Sequence, residues 1–451
     1  MSVQLASGIV DWENLTGQTK FVVDIVSIPI FSAFAGVITN WTGVLMLFAP
    51  LRFRGFHCPG VKTIFPFLPR KLQILPIFAP GGILGFQGFI PARAEKMASI
   101  CVDKGLSKLG SIRDFMTELD PAAIADHIAV IAKPELHGIL DDIMMKENPD
   151  LWRDLPPQMK QVVYQRVDNQ LPSIAHSAMN LIEENIDSLI DIKLMVVGKL
   201  RENPKILKDI IYELGAKELN FMVRLGFTLG LPMGLLLALF LQGYEKVPFL
   251  NALPSWLIVI GGAGLIGIIV NVVAIKMVFE PGDPAPRYRY VWKQAKFAKR
   301  QHEAATSFGH SLAYDVITLP NIANELLNGP RSDKTRAVIE RALLKEVDEI
   351  LGPVRALVRV AVGTREFEAI RGDTTGAAVG VVPMLVDDLE FNQRQAVKID
   401  SFCTTKLREL PPEEFMEMLY SAVEQDAWLL YAHGGLLGII VGVIHLIVFG
   451  A

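Results

Sequence analysis

The chain has 451 residues, 51% of them hydrophobic, and 44 Lys and Arg against 48 Asp and Glu leave a formal charge of -4. That balance carries no basic excess of the kind that draws nucleic acid. Three cysteines, Cys58, Cys101 and Cys403, show no CxxC or His-paired spacing and read as ordinary thiols. The apolar residues are gathered into four long runs, which excludes a wholly soluble chain.

Residues 1–24 lack the short apolar core and small-residue cleavage site of a secretory signal, so they are expected to remain as an external segment. Residues 25–50 form the first predicted membrane helix, and 25–49 contain no charge. A bilayer core of about 30 Å takes roughly 20 helical residues, so this run is long enough. A basic linker follows at 51–92. Its uncharged stretch 72–92 has Pro76, Pro80, Gly81 and Gly82 near the middle and Arg70, Lys71, Arg93 and Lys96 around it. Proline and glycine there break a helix, so a re-entrant or interfacial hairpin is expected rather than a span. Residues 93–221 mix charged and aliphatic residues at helical spacing and predict a cytoplasmic helical domain. Prolines 121, 134, 156, 157, 172 and 204 are expected to cut it into separate helices. The second and third membrane helices are predicted at 222–244 and 253–280. A second basic flank and cytoplasmic helical domain occupy 281–426, and the fourth membrane helix 427–451. The fold class predicted is therefore an all-α integral membrane protein with four transmembrane helices.

Orientation follows from lysine and arginine. Residues 52–93 hold six Lys or Arg and no acid, and so do residues 284–301. Basic flanks stay cytoplasmic. The first and third helices then run inward, both large polar regions lie inside, and both ends of the chain lie outside the cytoplasm. Arg52, Arg54, Arg70, Lys71, Arg287, Arg289, Lys293 and Lys296 are the candidate contacts to lipid headgroups.

Residues 39–50, TNWTGVLMLFAP, and 270–281, VNVVAIKMVFEP, share a phrase at an offset of 231 residues. The closing helices also agree, with Gly226, Gly230 and Gly234 in one and Gly434, Gly438 and Gly442 in the other. This predicts two parallel repeat units, each a membrane helix, a cytoplasmic domain and a closing membrane helix. Asn40 and Asn271 lie ten residues before their closing prolines. At 1.5 Å per residue that is about 15 Å, near the bilayer midplane, where an amide must find a partner. Gly36, Asn40 and Gly43, and likewise Gly267, Asn271 and Ala274, share a helix face. Small residues with a polar one among them predict helix–helix seams.

Motifs of chemistry are scarce. His302, Glu303 and His310 have no HExxH spacing, and GGILGFQG is apolar and follows no predicted strand, so no metal, cofactor or catalytic group is expected. His433 and His445 in the last run are expected to snorkel or to lie at the membrane interface, the alternative being a proton-linked role.

The first phrase, the segment ILPIFAPGGILGFQGFIPARAEKMA, the amphipathic KDIIYELGAKELNFMVRLG and the glycine-striped closing helix resemble, in that order, the bacterial YheB- and YjiN-like membrane proteins, the domain of unknown function 445 family. The resemblance covers most of residues 25–240. The second unit is looser, with polar GDPAPRYRYVWKQAKFAKR in place of the Pro-Gly segment. The resemblance implies a helical protein of the bacterial inner membrane and no particular activity. The expectation is a non-enzymatic protein that scaffolds, or binds lipid or a protein partner, at the cytoplasmic face, alone or as a homo-oligomer. The alternatives are a transporter of lipid or another apolar solute and, third, an enzyme on a membrane-soluble substrate.

Overall fold

The computed structural model describes residues 9–10, 12–58, 60, 63, 65–67, 76–79, 83–147, 149–244, 253–286, 292–351, 388–424 and 426–450. In chain order the main elements are α1 (Trp12–Thr16), α2 (Lys20–Phe48), β1 (Arg54–His57), β2 (Phe78–Ala79), β3 (Ile83–Phe86), α3 (Phe89–Ala92), α4 (Ala94–Cys101), α5 (Ile112–Glu118), α6 (Pro121–Glu147), α7 (Pro149–Asp154), α8 (Pro157–Leu189), α9 (Ile192–Glu202) and α10 (Pro204–Leu241). They continue with α11 (Ser255–Phe279), α12 (Gln301–Ser311), α13 (Leu319–Asn328), α14 (Ser332–Leu351), α15 (Leu389–Glu409), α16 (Pro412–Glu424) and α17 (Ala427–Phe449). The protein is overwhelmingly helical, and α2, α10, α11 and α17 are four helices long and apolar enough to cross a membrane. They expose Phe34, Ile38, Leu45, Leu236, Leu265 and Leu436, side chains that suit contact with lipid.

The chain divides into two compact units that cut across the sequence-derived boundaries. The first is built from residues 1–104, 200–307 and 409–451, and the second from 105–199 and 308–408. The second unit thus draws on both polar regions at once. Its core includes Phe115, Ile186, Leu189, Ile317, Ile322, Ile399 and Leu407, all essentially fully buried. Arg331 reaches the end of α8, donating to the Ile190 carbonyl (3.2 Å) and to Asp191 (3.2 Å).

Two expectations change. Pro134 and Pro172 do not end helices; each lies inside a continuous helix, of 27 and 33 residues. An internal proline costs about 3 kcal/mol, and α6 and α8 offset it by packing along one another, with His176 against Asp126, His137 against Asp168 and Tyr164 donating to Asp141. The boundary at residue 221 also falls inside a helix. α10 runs unbroken for 38 residues, about 57 Å at 1.5 Å per residue and far longer than a bilayer core. The Pro-Gly segment, expected as a hairpin, has antiparallel strands where it is described: β3 pairs with both β2 and β1, in the order β1-β3-β2. Gly88 N–H donates to the Pro50 carbonyl (2.9 Å) and the Gln87 side chain to that of Leu51 (2.8 Å), which ties the sheet to the end of α2.

Candidate functional site

The four long helices of the first unit form two close antiparallel pairs, α2 with α10 and α11 with α17. Glycine makes the first pair possible. A Cβ at Gly36 would strike the Gly226 carbonyl, and the Gly226 carbonyl carbon would be 2.8 Å away. Gly230 and Gly234 continue the seam against Ala33 and Pro29, with a built Cβ 3.0 Å and 2.7 Å from their Cα atoms. Asn40, 3% exposed, donates from Nδ2 to the Met222 carbonyl (2.5 Å). That carbonyl already accepts the helical bond from Gly226, four residues on, and the missing side chain there leaves its second lone pair open to the amide.

The second pair has the same contacts. Gly267 meets the Gly434 carbonyl, and Gly438 and Gly442 lie against Gly264 and Ile260, with a built Cβ 3.0 Å and 3.2 Å from their Cα atoms. Asn271, 4% exposed, donates to the Leu430 carbonyl (2.6 Å), again four residues before a glycine. Every residue is displaced by 231 on the first helix of the pair and by 208 on the second, as from Gly36 to Gly267 and from Gly226 to Gly434. Ala274 is fully buried. Gly43 lies elsewhere, against Leu430 and His433 of α17 at 3.6 and 3.7 Å.

No protein-family model matches the chain, and neither a curated protein nor a solved structure is similar to it.

Both histidines of α17 face hydroxyl side chains of α2. His445 is 3% exposed and its Nε2 is 3.0 Å from Ser27 Oγ of α2. His433 Nε2 is 3.5 Å from Thr42 Oγ1. An isolated helix offers imidazole no partner, and α2 supplies one to each ring. Between the two pairs lies a cavity of about 30 Å³, lined by Ser32, Thr39 and His445 together with aliphatic residues such as Ile28, Leu237 and Val270.

At the end of the bundle where α17 finishes, Lys20 Nζ donates to the carbonyls of Phe449 (2.9 Å) and Gly450 (3.2 Å) and pairs with Asp24 (3.2 Å). A cation there complements the helix dipole. Trp12 donates to the Val448 carbonyl (3.0 Å) and its ring stacks on Phe449.

The other end is ionic. Arg93 pairs with Asp426, just ahead of α17. Arg300 holds both oxygens of Glu218, at 2.6 and 2.7 Å, and also binds Glu303, which Lys217 approaches at 2.5 Å. Hydrogen bonds from Arg300 and then Lys217 hold the Glu303 carboxyl down to about 2. Arg52, Arg54 and Lys293 are exposed, and the Lys296 ammonium stands 4.8 Å over the Phe221 ring. Arg70, Lys71, Arg287 and Arg289 lie outside the described residues. His302, Glu303 and His310 do not converge: Glu303 serves Arg300, and His310 pairs with Asp400 (3.0 Å). Among the described residues no three His, Cys, Asp or Glu side chains are grouped to hold a metal.

Sequence reasoning located the asparagines and glycines but missed the Ser27–His445 contact and the Arg300–Glu218 pair. Helical spacing marks a face; it carries no information about a partner hundreds of residues away.

Proposed function

We propose that this chain is a multi-pass protein of a bacterial inner membrane, made of two parallel repeat units, that binds anionic lipid or a protein partner at its cytoplasmic face and performs no chemistry. The observation that carries this reading is the closed packing of the four-helix bundle. Two glycine seams bring backbones into contact, and the cavity between the pairs has room for one or two waters and none for an acyl chain. The matched contacts at offsets of 231 and 208 support the repeat, and the sequence resemblance to the YheB- and YjiN-like family supports the location. Basic flanks follow α2 and α11, and the tendency of such flanks to stay cytoplasmic supports an orientation with both ends of the chain outside the cytoplasm.

Each exposed Lys or Arg near anionic headgroups adds roughly 1 kcal/mol, screened beyond a Debye length of about 8 Å. Native mass spectrometry of the full-length chain in detergent should therefore show more phosphatidylglycerol than phosphatidylcholine retained. The excess should shrink in the variant carrying Arg52→Glu, Arg54→Glu, Lys293→Glu and Lys296→Glu. An unchanged lipid preference in that variant refutes headgroup binding by these flanks. Movement of lipid between the leaflets of reconstituted vesicles, lost when Asn40 and Asn271 are changed, would replace the reading with transport. A new product formed from membrane lipid would replace it with catalysis.

A further inference from the structure

The two contacts that join the helix pairs are unlike. Between α10 and α11 the packing is aliphatic, with Leu237, Ile258 and Ile266 in one cluster. Between α2 and α17 stand the two hydroxyl–imidazole contacts, Ser27 with His445 and Thr42 with His433. Applying the same two offsets, the residues at the matching places are Ile258 with Leu237 and Val273 with Leu225. One joint is polar where its counterpart is greasy.

His445 stands at the centre of this difference. It lines the cavity with Ser32 and Thr39, and its Nδ1 is buried without a hydrogen-bond partner. A buried polar atom left unpaired costs about 1–3 kcal/mol. The cavity, about 30 Å³, exceeds the roughly 10–15 Å³ that one water occupies. The Ser32 hydroxyl and the ring nitrogen give such a water two partners. A larger solute does not fit.

We propose that this cavity is a water-filled proton-binding site, in which His445 takes up a proton on Nδ1 from a water held against Ser32 while Nε2–H is donated to Ser27. The proton comes from solvent and returns to it, and only N–H and O–H bonds change. The neutral ring becomes an imidazolium with both nitrogens donating. The charged groups near the ring are all on the α1–α2 side. Lys20 and Asp24 pair with one another, and Glu13 accepts from the Lys20 backbone N–H. α10 and α11 present only Leu237, Val259, Ile266 and similar residues to the cavity. Protonation therefore puts an unopposed charge into the α2–α17 joint alone, where burial disfavours it, and loosens that joint while α10–α11 stays closed. The site rests on the four-helix bundle and not on lipid binding by the basic flanks.

The test is solid-state NMR of the full-length chain, 15N-labelled at histidine, in phosphatidylethanolamine–phosphatidylglycerol bilayers. One ring, identified by its loss in His445→Leu, should show a bare Nδ1 exchanging protons with water, and acidification should protonate both its nitrogens. Ala35→Ile places on α2 the residue that α11 carries at the matching Ile266. It should expel the water and weaken proton binding about tenfold, a shift of roughly one pH unit. Should that variant fail to fold, Ala35→Val reads the same way. A ring protonated on Nδ1 at neutral pH, a ring without water exchange, or a titration untouched by filling the cavity overturns the proposal.

Discussion

Replacing Gly36 with alanine tests the seam most directly. The new methyl would stand 2.8 Å from the Gly226 carbonyl carbon and 3.1 Å from its Cα, where carbon pairs prefer about 3.5–4.0 Å. Both atoms are backbone, so the helices themselves must part by close to an ångström. Overpacking of this kind costs about 1–3 kcal/mol. Parting also stretches the Asn40–Met222 hydrogen bond one turn away, worth about 0.6 and at most about 1.7 kcal/mol in a membrane helix. Alanine's better helix propensity returns up to about 1 kcal/mol. The balance is a loss of about 1–3 kcal/mol, or roughly five- to 150-fold in the folded-to-unfolded ratio. The control is Gly261→Ala on α11, whose added Cβ has nothing within 4 Å and should leave stability unchanged or raise it. Steric-trap unfolding in bicelles measures both. Gly267→Ala, which meets the Gly434 carbonyl, should cost as much as Gly36→Ala. If Gly36→Ala and Gly261→Ala shift stability in the same direction, the backbone contact is wrong. If Gly36→Ala is costly and Gly267→Ala neutral, the two seams are not equivalent.

The other predictions concern polar groups. Asn40→Leu and Asn271→Leu should each lower stability by about 0.5–2 kcal/mol through loss of one interhelical hydrogen bond, and a structure of either variant should show the carbonyl of Met222 or Leu430 without its side-chain donor. Arg300→Met should cost about 3–5 kcal/mol, because it leaves the Glu218 carboxylate, 3% exposed, without its partner; the double variant with Glu218→Met should recover much of that in the same unfolding assay. Glu303 is held below its ordinary value, so its contribution to stability is present above about pH 4.5 and disappears as pH falls toward about 2. Thermal denaturation of Glu303→Gln should accordingly depend less on pH across that window than the parent chain does, and equal slopes would show that the Arg300 contact contributes nothing.

Hydropathy alone was enough to mark the four long helices, because the length and apolarity needed to cross a bilayer are properties of a contiguous segment. Spacing alone was enough to put Gly36 with Asn40 and Gly267 with Asn271 on common faces, because 3.6 residues per turn is a local rule. What those faces meet was not local. That Asn40 reaches Met222 and Asn271 reaches Leu430 depends on how helices some 160 to 180 residues apart dock, and docking is decided by which glycines let two backbones touch. The same is true of Pro134 and Pro172, which read as breaks until the packing of α6 against α8 outweighs them. His445 is the clearest case. On its own helix it is a polar residue in an apolar run, and only the arrival of Ser27 and of a small cavity that Ser32 also lines turns it into a group with a partner on one nitrogen and none on the other.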